Sequence, residues 1–360
     1  MSQGEDLVRV RARIDELDRL MMGLIAERAS CARQVAQIKA ASGDHQFYRP
    51  EREAQILRRI KAENPGPLED EEMTRLFREI MSACLALEQP LAVAYLGPAG
   101  TFTQTAALKH FGHSVGTVPL GTIPEIFREV EAGSVHYGVV PVENSTEGVV
   151  SHTLDTFMTS PLSICGEVCL RIHHHLLSRA DDLGAVTAVY SHQQSLAQCR
   201  DWLDRHLPQA ERVPVASNAE AARLTAERPA TAAVASEAAA EIYGLRLHAQ
   251  RIEDEPDNTT RFLIIGRADA PMSGHDKTSL LLACRNEAGG LHAMLTPLAE
   301  HDISMTRIES RPSRRGVWDY VFFVDIIGHR EDPAVLAALD HLRRETLFLK
   351  VLGSYPEAVL

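Results

Sequence analysis

Two cations on one helix and a hydroxyl beside a guanidinium carry the first chemical signals of this chain. Arg28 and Lys39 are eleven residues apart in one uninterrupted helical pattern. That spacing puts them within about 20° of the same helix face and about 16 Å apart along the axis, a gap that two long side chains can narrow around a small dianion. Arg11 belongs to the same pattern but lies about 25 Å from Arg28, so it reaches that ligand only from a second, antiparallel copy of the helix. A coiled coil with solvated arginines is the alternative. Far downstream, Asn258-Thr259-Thr260-Arg261-Phe262 enters an apolar run, and Pro141-Val142-Glu143-Asn144-Ser145-Thr146-Glu147-Gly148 crowds polar groups at the end of another. Cations so placed suit a small dianionic ligand. Polar groups crowded at the carboxyl end of a strand lie on the usual ligand side of an α/β sheet.

The elements that must position these groups follow from periodicity. Leu7, Val10, Ile14, Leu17, Met21 and Leu24 recur at alternating steps of three and four, and the phase runs on through Arg28, Cys31, Val35 and Ile38. A helix from Glu5 to Lys39 is predicted, about 50 Å long, and it needs a partner helix. Two more helices follow, one through Lys61 and one from about Asp70 to Leu87. Near Gln89-Pro90 the texture breaks into short strands alternating with helices. Strands are predicted at Ala92–Leu96, Val115–Val118 and Tyr137–Val142, then at Val168–Leu177, Ala185–Tyr190, Arg212–Val215, Thr231–Ala235 and Arg261–Gly266. Two α/β lobes with a cleft between them are the natural arrangement. After a polar linker, Arg267 to Asp276, strands at Lys277–Cys284, Ile303–Ser310, Val317–Asp325 and Thr346–Leu352, with helices at Gly289–Glu300 and Asp332–Arg344, spell a βαββαβ module.

Composition bounds the function. With 360 residues the chain has room for two or three domains, and 45% hydrophobic content allows real cores. A net charge of −12 argues against general nucleic-acid or membrane-surface binding, so an anionic substrate needs local arginines. Six cysteines without a CxxC pair, no apolar run of membrane length and no apolar signal segment make a reducing, cytoplasmic setting the expectation. Within Ile172-His173-His174-His175-Leu176, strand alternation lets at most His173 and His175 share a ligand, and no acidic or Cys partner stands at telling spacing. A structural role is expected there, and no metal.

Over roughly its first 90 residues the chain resembles the all-helical chorismate mutase family, through Arg11, Ile14-Asp15, Leu17-Asp18, Ala26-Glu27-Arg28, Lys39 and Arg52-Glu53. The resemblance implies an intertwined homodimer binding chorismate, in which Arg28, Lys39 and the Arg11 of a second copy hold carboxylates and the ether oxygen while Glu53 holds the substrate hydroxyl. Three positions depart from the commonest pattern. Arg49 stands where Asp is frequent, Cys84 where Ser is frequent, and Glu88 where a Gln donates to the ether oxygen. An ionised carboxylate cannot donate, so Glu88 takes that role only when protonated.

From Leu91 to about Gly266 the chain resembles the prephenate dehydratase family, through Gly97-Pro98-Ala99-Gly100-Thr101-Phe102-Thr103, the Glu143-Asn144 motif, Tyr190-Ser191-His192 with Gln194, Asn218-Ala219-Glu220-Ala221-Ala222, Tyr243-Gly244-Leu245 and Thr260-Arg261-Phe262. The resemblance implies a fold like the type 2 periplasmic binding proteins, no cofactor, and Thr260 as an essential residue. Loss of carbon dioxide and hydroxide aromatises prephenate, so the enzyme must mainly help hydroxide leave. Thr260 is expected to bond that hydroxyl, Glu143 to supply a proton, and Arg261 with the helix start after Gly100 to hold a carboxylate. Thr101, Thr103, Asn144, Ser145, Ser191 and Gln194 complete the expected binding set. Thr103 retains the hydroxyl of the more usual Ser.

The C-terminal module resembles an ACT regulatory domain, with Gly289-Gly290-Leu291 and Glu309-Ser310-Arg311-Pro312 similar to its phenylalanine-binding motifs. The expected architecture is therefore a helical region over residues 1–90, a two-lobed α/β region over 91–267 and an α+β, ferredoxin-like region over 277–355. It corresponds to the bifunctional chorismate mutase/prephenate dehydratase family, with phenylalanine as effector and a homodimer or higher oligomer as the assembly. Two alternatives stay open from the residues: a dehydratase whose helical region only dimerises, and a phenylalanine or solute sensor without activity.

Overall fold

The computed structural model describes residues 3–43, 47–284, 287–313 and 320–359. Helix α1 (Gln3–Ser42) is longer than predicted, and its seam is open: Leu7, Val10, Ile14, Leu17, Met21 and Leu24 are all exposed. The seam stays open through Cys31, Val35 and Ile38, while beside it Ala32 is covered and Arg28 and Lys39 are half-buried. Helix α2 (Pro50–Glu63) starts on a proline at a position where the missing N–H costs nothing. Helix α3 (Asp70–Glu88) turns Thr74, Arg78, Met81 and Cys84 inward.

The first α/β lobe is one sheet in the order Gly116–Leu120, Ala92–Leu96, Tyr137–Asn144, Thr259–Gly266, Ser163–Arg171, with the two-residue strand Gly148–Val149 paired to Tyr137–Asn144. Helix Phe102–Phe111 packs on one face and helix Ile123–Ala132 on the other. The second lobe is a sheet in the order Arg246–Ala249, His175–Ser178, Thr231–Ala235, Ala188–Ser191, Glu211–Pro214. The chain crosses between lobes after Arg171 and returns before Thr259, and these two residues are paired, so both crossings lie beside Thr260.

The first crossing corrects the single strand predicted over Val168–Leu177. It is two strands in different sheets, Ser163–Arg171 and His175–Ser178. Glu253 explains the break: its carboxylate accepts from His173 Nδ1 at 2.7 Å and from the His174 backbone N–H at 2.9 Å, taking that N–H out of any ladder. His173 and His174 lie in the crossing between the sheets and His175 opens the second strand, and each ring has its own protein partner.

The C-terminal sheet runs Met305–Pro312, Tyr320–Ile327, Asp276–Ala283, Phe348–Pro356, all antiparallel, as a βαββαβ module requires. The start of the third strand as predicted, at Val317, lies outside the described residues. Helices Gly290–Glu300 and Pro333–Glu345 cover one face. The other face does not meet solvent: Leu281, Val321, Phe323, Leu352 and Tyr355 join the core of the first lobe. Gly353 marks the closest approach, since a Cβ there would fall 2.2 Å from the Ile164 carbonyl oxygen.

The helical region is also built into the first lobe. Tyr48 is 3% exposed and packs with Phe111 and Tyr137, and its hydroxyl lies 2.9 Å from His110 Nε2. Buried Arg78 donates to the carbonyls of Lys109 and His110 at 3.0 and 2.5 Å. No helix among the described residues is long and apolar enough to cross a membrane.

Candidate active sites

At the junction of α1 and α3, Lys39 Nζ lies 3.8 Å from Glu88 Oε2 and donates to the Phe47 carbonyl at 3.3 Å. Burial pushes the Glu88 carboxyl above its ordinary range, and Lys39 and Arg28 pull it part of the way back. The two cations and the departing Glu88 therefore form one constellation. Arg11 stays exposed on the far half of α1. Cys84 is buried on α3, one turn before Glu88.

Glu53 is not part of this group. Its carboxylate lies 3.7 Å from Arg78 Nη1, on the side of α2 that faces the first lobe, and burial raises its pKa against the pull of Arg78. Glu51 is two residues earlier, about 200° around the helix. It lies 4.0 Å from Arg49, and one carboxylate oxygen is buried without a hydrogen-bond partner. Burial raises its pKa, while Arg49 and Lys39 lower it. Helix α2 begins at Pro50, so Glu51 and Glu53 fall on different sides of it; no start for this helix is read from the sequence, which also does not tell which side faces the cations.

In the first lobe, Thr260 is registered opposite Asn144, and Asn144 Nδ2 donates to Thr260 Oγ1 at 2.8 Å. The same amide donates to Asn258 Oδ1 at 2.7 Å, while Asn144 Oδ1 accepts from the backbone N–H groups of Thr146 and Glu147. Asn258 passes the chain to Gln198 Oε1, which is also 2.9 Å from His174 Nε2. Gln198 and Gln194, from the second lobe, both donate to the Glu147 carboxylate, at 3.2 and 3.1 Å. This network spans the two lobes. Glu147, Gln198, Asn258 and His174 were not among the site residues expected from the sequence, although Glu147 and Asn258 stand in the motifs of Asn144 and Thr260 and Gln198 follows Gln194 by one helical turn. Beside Leu170, the residue opposite Thr260, a cavity of about 310 Å³ opens between Phe102 and Thr105 of the first lobe and His175, Ser236 and Glu237 of the second.

Two expected partners of Thr260 point elsewhere. Adjacent residues of a strand face opposite sides of the sheet, and Arg261 and Glu143 are registered opposite each other on the far side from Thr260 and Asn144. Arg261 meets Glu167 at 2.8 Å, Asp325 at 2.5 Å and the Tyr355 hydroxyl at 2.9 Å. Burial opposes its charge, but Tyr355, Asp325 and Glu167 together hold its pKa above the ordinary value. Glu143 meets Arg307 Nε at 3.0 Å. Neither faces the cleft, so the expectation of Arg261 as carboxylate ligand and Glu143 as proton source is corrected.

Other expected contacts are committed to the fold. The Thr101 hydroxyl caps helix Phe102–Phe111 and donates to the Leu96 carbonyl, and Thr103 is buried. Ser191 is fully buried, within hydrogen-bond distance of the Val234 carbonyl and Asn218. Ser145 remains exposed and braces Thr259. In the C-terminal module, Gly289 has a φ of +85° at the start of helix Gly290–Glu300, with Leu291 exposed. Glu309, Ser310, Arg311 and Pro312 lie on the edge strand, and Arg311 reaches back to Ser151 and Asp155 of the first lobe at 2.8 and 2.9 Å.

Comparison with known proteins agrees module by module. The family model for chorismate mutase type II matches residues 10–89, that for prephenate dehydratase residues 93–270, and that for the ACT domain residues 278–343. The bifunctional chorismate mutase/prephenate dehydratase of Stutzerimonas stutzeri is 56% identical, and that of Pseudomonas aeruginosa 55%, each over the full length of both chains. A solved prephenate dehydratase of Arthrobacter aurescens, in complex with L-Phe, is 34% identical with a TM-score of 0.70, over 74% of this chain and 90% of that one. With both catalytic modules and the ACT module matched in order, the chain belongs to the family of bifunctional chorismate mutase/prephenate dehydratases.

Proposed function

We propose that each reaction runs in one of the two constellations described above, and that phenylalanine acts through the third module. In the helical region, chorismate rearranges to prephenate. Such a rearrangement needs no nucleophile, only a fixed conformer and donors facing the ether oxygen. Lys39 and Arg28 supply the cations, protonated Glu88 donates to the ether, and Arg11 arrives from a second copy whose apolar seam covers the exposed one of α1. Glu51 rather than Glu53 is the carboxylate placed to take the substrate hydroxyl, with Arg49 beside it and Cys84 as packing.

In the α/β cleft, prephenate loses carbon dioxide and hydroxide to give phenylpyruvate. The observation that carries this reading is the direction of one hydrogen bond. Because Asn144 donates to Thr260 Oγ1, the Thr260 hydrogen is left to be donated outward to the departing hydroxyl. Glu147 with Gln194 and Gln198 holds the lobes together around it. Phenylalanine, the ligand of the Arthrobacter relative, binds where two ACT modules meet, between Gly289-Gly290-Leu291 and the Glu309–Pro312 edge, and inhibits dehydration. Six free thiols suit a reducing cytoplasm.

A chorismate-depletion assay followed by acid aromatisation of any prephenate tests both steps at once. Wild type should consume chorismate and form phenylpyruvate without added acid. Thr260→Ala should lose dehydration by roughly 10²-fold or more and accumulate prephenate at an unchanged mutase rate. A Thr260→Ala enzyme retaining most of its dehydratase activity would remove Thr260 from the mechanism.

A further inference from the structure

Thr260 and Asn144 work on the cleft side of their strands, yet the residue next to each is gripped from behind by the C-terminal module. Arg261 follows Thr260 and is fixed by Asp325 and Tyr355 of that module and by Glu167, which is itself 2.8 Å from Lys277. Glu143 precedes Asn144 and is held by Arg307. The Arg261 clamp is dry, with Glu167 and Asp325 4% exposed and Tyr355 fully buried; at the second clamp the Arg307 side chain is 9% exposed, with Nη2 buried and lacking a partner, while the Glu143 side chain stays 39% exposed. A strand cannot shift one residue without moving the next, because their Cα atoms are fixed about 3.8 Å apart.

We propose that Arg261 and Glu143 are positioning residues, through which the C-terminal module sets the distance and angle between Thr260 and Asn144. Two clamps on two adjacent strands fix the relative register of the catalytic pair more tightly than either does alone. Any rearrangement of strand Met305–Pro312, which carries both Arg307 and the Glu309–Pro312 motif, then reaches Asn144 through Glu143. Its regulatory side rests on the reading that phenylalanine binds this module; its positioning side does not.

Loss of Arg261 would strand two buried carboxylates and endanger folding, so the test uses Glu143→Gln and Arg307→Gln in the full chain. Lys350→Met is the control, because Lys350 ties the same module to the Phe157 and Ser160 carbonyls without touching either catalytic strand. Dehydratase kcat should fall about tenfold in both test variants, with KM within about twofold, the mutase rate unchanged and the double variant no worse than either single one. Lys350→Met should leave kcat near wild type. Phenylalanine affinity by calorimetry should stay within about twofold in the Gln variants while maximal inhibition drops. An unchanged kcat in Glu143→Gln, or an equal loss in Lys350→Met, overturns the proposal. A wild type that neither binds phenylalanine nor is inhibited by it defeats the feedback reading alone, and the kcat comparison still decides the positioning.

Discussion

Lys39 Nζ and Glu88 Oε2 lie 3.8 Å apart with both side chains less than one-fifth exposed, so on the proposed mutase reading the charge of Glu88 decides whether this end of the constellation attracts or repels an ether oxygen. Burial raises its pKa and the two cations oppose the rise. Glu88 is protonated below that raised value and ionised above it. Mutase turnover should therefore fall as pH rises through the Glu88 pKa, and Glu88→Gln, which donates at every pH, should flatten the profile. The dehydratase profile, measured on the same samples, should not change. A mutant profile that keeps the wild-type slope would take the ether contact away from Glu88.

The two glutamates of the first turn of α2 should separate activity from stability. Glu51→Gln should lower mutase kcat/KM by about tenfold while leaving the thermal midpoint within a few degrees. Glu53→Gln should do the reverse, since it leaves Arg78 buried with a weakened partner at a cost of about 1–3 kcal/mol. Kinetics and thermal melts of the two variants check this, and a mutase loss confined to Glu53→Gln would return the hydroxyl contact to Glu53.

Much of this was legible because the motifs are local and the periodicities strong. A long α1, strands that begin shortly after Pro90 and the βαββαβ order of the C-terminal module all follow the pattern read from the sequence. What misled was side-chain direction. Thr260 and Arg261 read as a hydroxyl and a guanidinium side by side, yet strand alternation separates neighbours onto opposite faces. The partners that fix the outcome, Asp325 and Tyr355, are 64 and 94 residues away in sequence. Glu143 misled in the same way, with Arg307 as its distant partner. The strand break at His173 depended on Glu253, eighty residues on. Tertiary partners at such distances leave no local signal.

His110 ties acid stability to the seam between the helical region and the first lobe. Burial, with Arg78 adding to it, lowers its pKa to about 3, so the folded ring stays neutral beside Tyr48 while the unfolded chain takes up a proton below about 6.5. A depressed folded pKa means stability lost as pH falls from about 6.5 towards 3, by up to about 1.4 kcal/mol per pH unit. His174 and His175 are also lowered, chiefly by burial, and add loss of the same sign. His110→Phe should therefore lessen, without abolishing, the drop in thermal midpoint between pH 7 and pH 5. A mutant with the full wild-type pH dependence would show that this ring is not neutral by burial.

The distance between Arg11 and Arg28 on one helix sets the last expectation. Seventeen residues of helix hold them about 25 Å apart, and the apolar seam of α1 lies exposed from Leu7 through Val35 and Ile38, with Arg28 and Lys39 half-buried beside it. In a two-fold dimer each mutase site then combines Arg28 and Lys39 of one subunit with Arg11 of the other. Arg11→Ala and Arg28→Ala homodimers should both be nearly inactive as mutases and normal as dehydratases. Co-expressed, half of the dimers should be hybrids if pairing is random, and a hybrid gathers both lesions in one site and leaves the other whole. Activity should recover to about a quarter of wild type per total site. Doubly tagged, purified hybrids that show no mutase activity despite a normal dehydratase would mean that Arg11 does not complete the neighbouring site.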